Sequence, residues 1–234
     1  MGRSLPPRLK VIADSVSSSG IVADVGTDHG YLPVYLIREK GLQKVIATDV
    51  NKDPLAKAQR IIFRHKLTDQ IELRLGDGLK VLEPGEADTI ILAGMGGILI
   101  SDLLDSSPEV AKSAKMLIAQ PIQAVSGLRQ YLWQSGYRIC SEKLVQEKHR
   151  FYETVFACYE GNDEVKTDPV DLEIGTFIRE QAPGTAKAYL KRKIRILEQR
   201  QKGLREAKNL DTAAIKEIEG ILKALKEELS WFGQ

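Results

Sequence analysis

Two cysteines, three histidines and no apolar run of about 18 residues set aside several classes of protein before any motif is read. Without such a run no transmembrane helix is expected. The opening MGRSLPPRLKVIADS has neither the apolar centre nor the cleavage pattern of a secretory signal, so a cytoplasmic protein is expected. Leu5-Pro6 after Met1-Gly2 does not fit a myristoylation signal. Cys140 and Cys158 sit in strand-like segments without metal-ligand spacing and read as buried thiols in a reducing compartment. His29 has no second histidine or cysteine near it in sequence, so no metal is expected. A net charge of +2 says nothing about nucleic acid; the distribution of the charges does.

What is present is alternation. Leu9, Ile12, Ala13 and Val16 mark one helical face ahead of the breaker SSSG. Strand-like runs follow at Ile21–Val25, Val45–Thr48, Ile71–Leu75, Thr89–Ala93 and Met116–Ala119, with helical patterns such as Pro54–Lys66 and Val125–Ser135 between them. That order predicts an α/β fold, a parallel sheet wrapped by helices. Tyr137–Val145 and Phe151–Tyr159 are joined by the short polar link QEKHR, which suits an antiparallel hairpin and not a crossover helix. Beyond about residue 160 the texture changes. Leu190, Ile194, Leu197, Gln201 and Leu204 recur at 4-3-4-3 spacing, as do Ile215, Ile218, Leu222, Leu225 and Leu229. NLD at 209–211 separates the two stripes, with Asp211 or Thr212 as N-cap. An antiparallel helical hairpin with coiled-coil packing is expected, giving domains 1–162 and 163–234.

Four strand ends carry chemistry. The first strand runs through Asp24-Val25-Gly26 into Thr27, Asp28, His29 and Gly30, a nucleotide-type glycine loop at the carboxyl edge of a sheet. Its acids repel a pyrophosphate and no Gly-Lys-Ser/Thr follows, so a P-loop is excluded and a cationic ligand such as a sulfonium is favoured. Asp49 ends the second strand about 20 residues on, where a carboxylate can accept from both hydroxyls of a ribose. Asp77, in LRLGDGL, follows the third strand, placed to accept from an adenine amino group. The fourth strand ends in Ala93-Gly94-Met95-Gly96-Gly97. All four converge on one crevice of an open sheet.

With ADVGTDHGYLP, ATDVN, GDGL and AGMGG on the page, the chain resembles the class I S-adenosylmethionine-dependent methyltransferases. Among them it is similar to the bacterial tRNA (adenine-22-N1)-methyltransferase family, over nearly its whole length. The resemblance implies a Rossmann-like seven-stranded sheet with one antiparallel strand, S-adenosylmethionine as cofactor and tRNA as partner. Asp24, Gly26, Asp28 and Gly30 would shape the methionine and sulfonium end, Asp49 would hold the ribose and Asp77 the adenine. Thr27, Tyr31, Val50, Gly78, Ala93 and Gly94 would complete the cofactor lining. Two departures from the wider class stand out. Asp28 replaces the middle glycine of its usual loop, and AGMGG replaces the Asn/Asp-Pro-Pro-Tyr motif that holds an exocyclic amine. The second argues against N6 chemistry and fits attack by a ring nitrogen.

Adenine N1 has an in-plane lone pair at neutral pH, so alignment rather than deprotonation would supply most of the acceleration. Asp28, His29 and Met95 are the candidates beside the reacting atoms, although His29 suits a structural role in the loop equally well, and Tyr31 can equally pack the helix start. Gly96 and Gly97 would let the backbone approach an extruded base. Gln120, before Pro121, can contact that base or simply end a strand. From Lys187 to Lys208 stand nine basic residues (Lys187, Lys191, Arg192, Lys193, Arg195, Arg200, Lys202, Arg205, Lys208) against Glu198 and Glu206, a local excess of +7. Such a helix suits phosphate contacts, with Arg3, Arg8 and Lys10 adding to the surface. A monomer is expected. Three other readings stay open: a small-molecule or other-RNA methyltransferase whose hairpin dimerises, a non-catalytic binding module that keeps the crevice, and an NAD-dependent dehydrogenase.

Overall fold

The computed structural model describes residues 5–161, 168–207 and 211–232. Arg3, Lys208, most of NLD and the expected boundary at 162–163 lie outside them. The chain divides into two compact units, Met1–Val165 and Lys166–Gln234.

The first unit alternates as its apolar pattern dictates. In order come α1 (Pro7–Ser15), β1 (Val22–Val25), α2 (Tyr31–Lys40), β2 (Val45–Asp49), α3 (Lys52–Arg64) and β3 (Ile71–Leu75). A 3₁₀ turn, Gly78–Val81, leads to β4 (Thr89–Ala93), α4 (Gly97–Ser106), α5 (Pro108–Ser113), β5 (Met116–Gln120) and α6 (Val125–Gln134). The hairpin strands β6 (Tyr137–Glu147) and β7 (Arg150–Tyr159) complete the unit. Every residue of β1 and β2 is buried, which explains why these strands read as continuous apolar runs and not as alternations. Around them α3 turns Leu55, Ala58 and Ile62 inward. α4 and α5 lie in a stretch whose pattern predicted no element. α4 is apolar nearly all round, burying Ile100 and Leu104 while Ile98 and Leu99 stay exposed, so no single stripe announces it.

The seven strands form one sheet in the order β3-β2-β1-β4-β5-β7-β6, with β1 to β5 parallel and β7 antiparallel to both of its neighbours. The order reverses at β1, so the crevice between the ends of β1 and β4 is the switch point of the sheet. α6 is locked to the hairpin by Arg129, buried between Glu142 of β6 at 2.7 Å and Glu153 of β7 at 2.6 Å. The arginine is the partner this cluster depends on, because without it two carboxylates would face each other buried and uncompensated.

The cysteines depart from expectation. Cys140 and Cys158 are half-buried and joined as a disulfide across β6 and β7, with Cα atoms 6.9 Å apart. The cause is a bulge: the register passes from Ile139↔Ala157 to Ser141↔Phe156, leaving Cys140 as the extra residue beside the Arg138↔Cys158 pair.

In the second unit come α7 (Pro169–Ile174), a 3₁₀ turn at Ile178–Glu180, α8 (Pro183–Glu206) and α9 (Thr212–Trp231). Asp168 and Asp211 cap α7 and α9, accepting from the amides of Val170 and Ala214. α8 buries Leu190, Ile194 and Leu197, and α9 buries Ile215, Ile218, Leu222 and Leu225. Glu198 pairs with Lys226 at 2.8 Å and Arg205 with Glu219 at 2.7 Å. A step of seven along α8 thus retraces seven along α9, so the two helices run antiparallel. Gln201, within the stripe, donates to Glu219 at 3.2 Å.

Candidate active site

The turns after the strands are tied to one another by backbone hydrogen bonds. The amides of Gly26 and Thr27 both donate to the Thr48 carbonyl at 2.8 Å, that of Gly76 to Asp49 at 3.0 Å, and that of Gly94 to Gln120 at 3.0 Å. Each loop leaves its strand fastened to the neighbouring strand, and a cavity of about 770 Å³ opens among them. All the loop candidates border it: Asp24, Gly26, Thr27, Asp28, His29, Gly30, Tyr31, Asp49, Val50, Asp77, Gly78, Ala93, Gly94 and Met95. Gly26 holds a backbone conformation that favours glycine. Its φ is +78°, and a Cβ there would meet the Met95 methyl at 2.3 Å. Met95 therefore lies across the loop.

Each acid has a distinct setting. Asp24 is buried, and burial pushes its carboxyl up to about 6; a hydrogen bond from Thr27 works against that shift and the charge of Asp49 adds to it. Asp49 accepts from the amide of Asn51 at 2.7 Å through one oxygen. Asp77 is more than half exposed and pairs with Lys80 at 2.6 Å. Its loop is braced from below by Arg74, which donates to Glu72 and Glu86 and to the carbonyl of Val81, each at 2.7 Å. Arg74 in turn holds the Glu86 carboxyl down at about 2. Asp28 stands at the mouth, 78% exposed, with its carboxylate 2.7 Å from Nδ1 of His29. The His29 ring stacks on Tyr31, centroids 5.5 Å apart and planes within 9°. The loop thus presents a flat aromatic pair oriented by a carboxylate.

Three of the substrate candidates lie elsewhere. Gln120 is fully buried and donates through its amide to the Arg8 carbonyl at 2.9 Å and to Thr154 Oγ1 at 2.7 Å, so here it is a structural fastener. Gly97 is buried, and a Cβ there would strike the Ala124 carbonyl at 2.2 Å, so close packing by itself already requires this glycine. Gly96 forms a bridge with Gln123 and does not border the cavity. Leu99 and Leu103 do border it and were missed, because a residue one helical turn from the next on α4 looks like core. Arg8 borders it as well.

On α8 the basic run is partly spent. Lys193 pairs with Glu173 at 3.1 Å, Lys202 with Glu206 at 3.8 Å and Arg205 with Glu219. Arg192 is also engaged within the protein. Lys187, Lys191 and Arg195, at intervals of four, share one helix face with no acidic partner among the described residues, and Arg200 stands apart from them around the helix. Among the described residues no group of three or more His, Cys, Asp and Glu is gathered for a metal, and no helix is long and apolar enough to cross a membrane.

Comparison with known proteins agrees with this geometry. A methyltransferase-domain family matches residues 5–155. The tRNA (adenine(22)-N(1))-methyltransferase of Bacillus subtilis is 32% identical over 174 residues, covering 74% of this chain and 73% of that protein. The solved structure of the B. subtilis m1A22 tRNA methyltransferase TrmK superposes with a TM-score of 0.84 at 26% identity, over 97% of this chain and 99% of that one. Sp1610 of Streptococcus pneumoniae, solved in complex with S-adenosyl-L-methionine, gives 0.80 at 29% identity, over 94% and 100%. The strand order, the acids on the first three strands and their loops, and these matches together place the chain in the tRNA (adenine-22-N1)-methyltransferase family of S-adenosylmethionine-dependent enzymes.

Proposed function

We propose that this protein methylates N1 of adenine 22 in tRNA with S-adenosylmethionine as donor, and that the cavity at the strand ends is where it does so. The observation that carries the reading is that one cavity gathers an acid from each of three strand ends, together with Met95 and the His29–Tyr31 pair. The residues fit the cofactor. An exposed carboxylate at Asp77 suits an amino group, and Asp49 suits a ribose. Leu99 and Leu103 offer an apolar wall to a purine, and buried Asp24 faces the cationic end. When bound, the cofactor supplies a methyl group on a positively charged sulfur.

The chain's own residues then align and stabilise. The adenine N1 lone pair forms the new bond to the methyl carbon as the carbon–sulfur bond breaks, its electron pair staying on sulfur; no proton moves. The His29–Tyr31 stack offers a flat ledge for the target base, and Met95, lying across Gly26, fills the floor between base and loop. The methylated base is cationic, and the exposed Asp28 carboxylate at the mouth lowers the energy of that charge. The antiparallel pair α8–α9, with its seven-residue step, supports a coiled-coil-like hairpin domain, taken here as residues 163–234 beside a catalytic domain of 1–162. Its free cations Lys187, Lys191, Arg195 and Arg200 contact RNA phosphates, and the enzyme works as a cytoplasmic monomer without metal.

Incubation of the purified protein with unmodified tRNA and methyl-labelled S-adenosylmethionine, followed by mapping of the modified nucleoside, tests this. Label as 1-methyladenosine at position 22 is expected. Label at N6, or on another nucleotide, would overturn the ring-nitrogen mechanism.

A further inference from the structure

Among the described residues ten large hydrophobic side chains are exposed. Six of them, Tyr31, Val50, Leu75, Ile98, Leu99 and Ile122, sit at or just past the carboxyl ends of the parallel strands. Scattered exposed apolar residues are ordinary, but a group gathered at one edge of a sheet marks a contact surface. Within it Ile98 and Ile122 are 68% and 56% exposed, and neither borders the cofactor cavity, although Leu99, next to Ile98, does. The pair is held firmly. β4 and β5 are in register up to Ala93↔Gln120, and the loops beyond them stay paired. The Ile122 amide donates to the Met95 carbonyl at 2.8 Å, the Gly97 amide donates to the Gln123 carbonyl at 2.9 Å, and Gly96 forms a bridge with Gln123. A β-branched side chain on such a backbone has little rotamer freedom, so each isoleucine is a fixed apolar knob at the cavity mouth.

Charge decides what such knobs meet. Neither Thr89–Ser101 nor Met116–Leu128 contains a single Lys, Arg, Asp or Glu, so these paired loops offer nothing to a phosphate. They suit the flat apolar face of a nucleobase. A target adenine that enters the cavity leaves its stack, and the faces of the bases on either side of it are bared to water. An apolar side chain that slots into the gap covers those faces again, which offsets the cost of unstacking and disfavours return of the adenine. We propose that Ile98 and Ile122 form a wedge that takes the place of the extruded adenine against its neighbouring bases in tRNA. Both are positioning residues, since they act on the neighbours of the target and not on the reacting atoms. The proposal rests on the function given above and adds to it how the base is kept out of its stack.

A tRNA carrying 2-aminopurine in place of adenine 22 tests it, because the fluorescence of that base rises when it is unstacked. Binding of the wild type should raise the signal several-fold. In the double variant Ile98→Ala, Ile122→Ala most of that rise should be lost. Single-turnover methylation of unmodified tRNA should slow by about 10- to 100-fold, the range for withdrawing one or two apolar side chains from a buried contact. Calorimetry should show S-adenosylmethionine bound as tightly as by the wild type, which also shows that the variant is folded, and leucine at both positions should restore most of the rate. A double variant with the wild-type signal and rate overturns the wedge. Cofactor affinity that falls together with the rate overturns it as well, by making the pair part of the fold. Loss of self-association in place of lost extrusion, seen by sedimentation, would give the patch to a second copy of the chain and overturn it too. A wild type that methylates tRNA without any rise in fluorescence removes the wedge alone, whereas one that methylates no tRNA strikes down the function on which it rests.

Discussion

The two units of this chain store chemistry in opposite ways. In the first, the functional groups are few, short and set by the backbone. Asp24 lies within β1, Asp49 ends β2 and Asp77 follows β3, and cross-strand amides fix the turns that leave these strands. In the second, a repeating stripe fixes only which helix faces are buried, and whatever the unit offers to a partner rests on long, exposed cations such as Lys191 and Arg195. A backbone-fixed site tolerates little change and reads its ligand atom by atom. A row of flexible cations reads charge and tolerates a great deal.

Single changes in the first unit should therefore outweigh multiple changes in the second. The largest effect is expected for Asp49→Ala, which removes both acceptors for the ribose: calorimetry should show S-adenosylmethionine binding weakened by about 100-fold with the melting temperature little changed. Affinity equal to the wild type would remove the ribose assignment and with it the contrast between units. Next comes joint reversal of Lys187, Lys191 and Arg195 to Glu. This should lower tRNA affinity by about 10-fold or more and flatten its salt dependence by about two to three charges, while cofactor affinity stays as it was. A salt slope identical to the wild type would show that this helix face does not meet phosphate.

The smallest effect is graded with pH. The Asp24 carboxyl sits at about 6 when folded against 3.8 in its ordinary state, so the folded cofactor-free chain holds this proton more tightly than the unfolded one. Its contribution thus makes the apo protein more stable as pH falls from above 6 toward 4, the reverse of a salt-bridged carboxylate. The cationic cofactor needs the ionised form, so its affinity should drop by up to about tenfold per unit below pH 6. Asp24→Asn should abolish that slope; a slope that persists would assign the titration elsewhere.

The parallel strands and the acids at their ends were legible because each is a local pattern: an apolar run, then Asp or Gly, then a helix. What escaped was decided at a distance. Gln120 acquires its role from Arg8, 112 residues earlier, and from Thr154, 34 residues later. Cys140 meets Cys158 because a single extra residue shifts the β6–β7 register, which a separation of 18 cannot announce. Gly97 belonged to a glycine cluster that read as a ligand platform, but the Ala124 carbonyl accounts for it. The basic run on α8 was legible as composition only; which of its charges are neutralised depends on Glu173 and Glu219, on other helices.

The strand order also constrains how the chain can be made. β6 is synthesised before β7 but lies outside it, and β7 alone joins it to the sheet. As the chain leaves the ribosome, β5 keeps an open edge and β6 has no strand to pair with until residues 150–159 emerge and fill the gap between them. Arg129 gains its second carboxylate, Glu153, from the same late strand. The hairpin therefore joins the sheet only when β7 is made, after the strands that form both walls of the β1–β4 crevice.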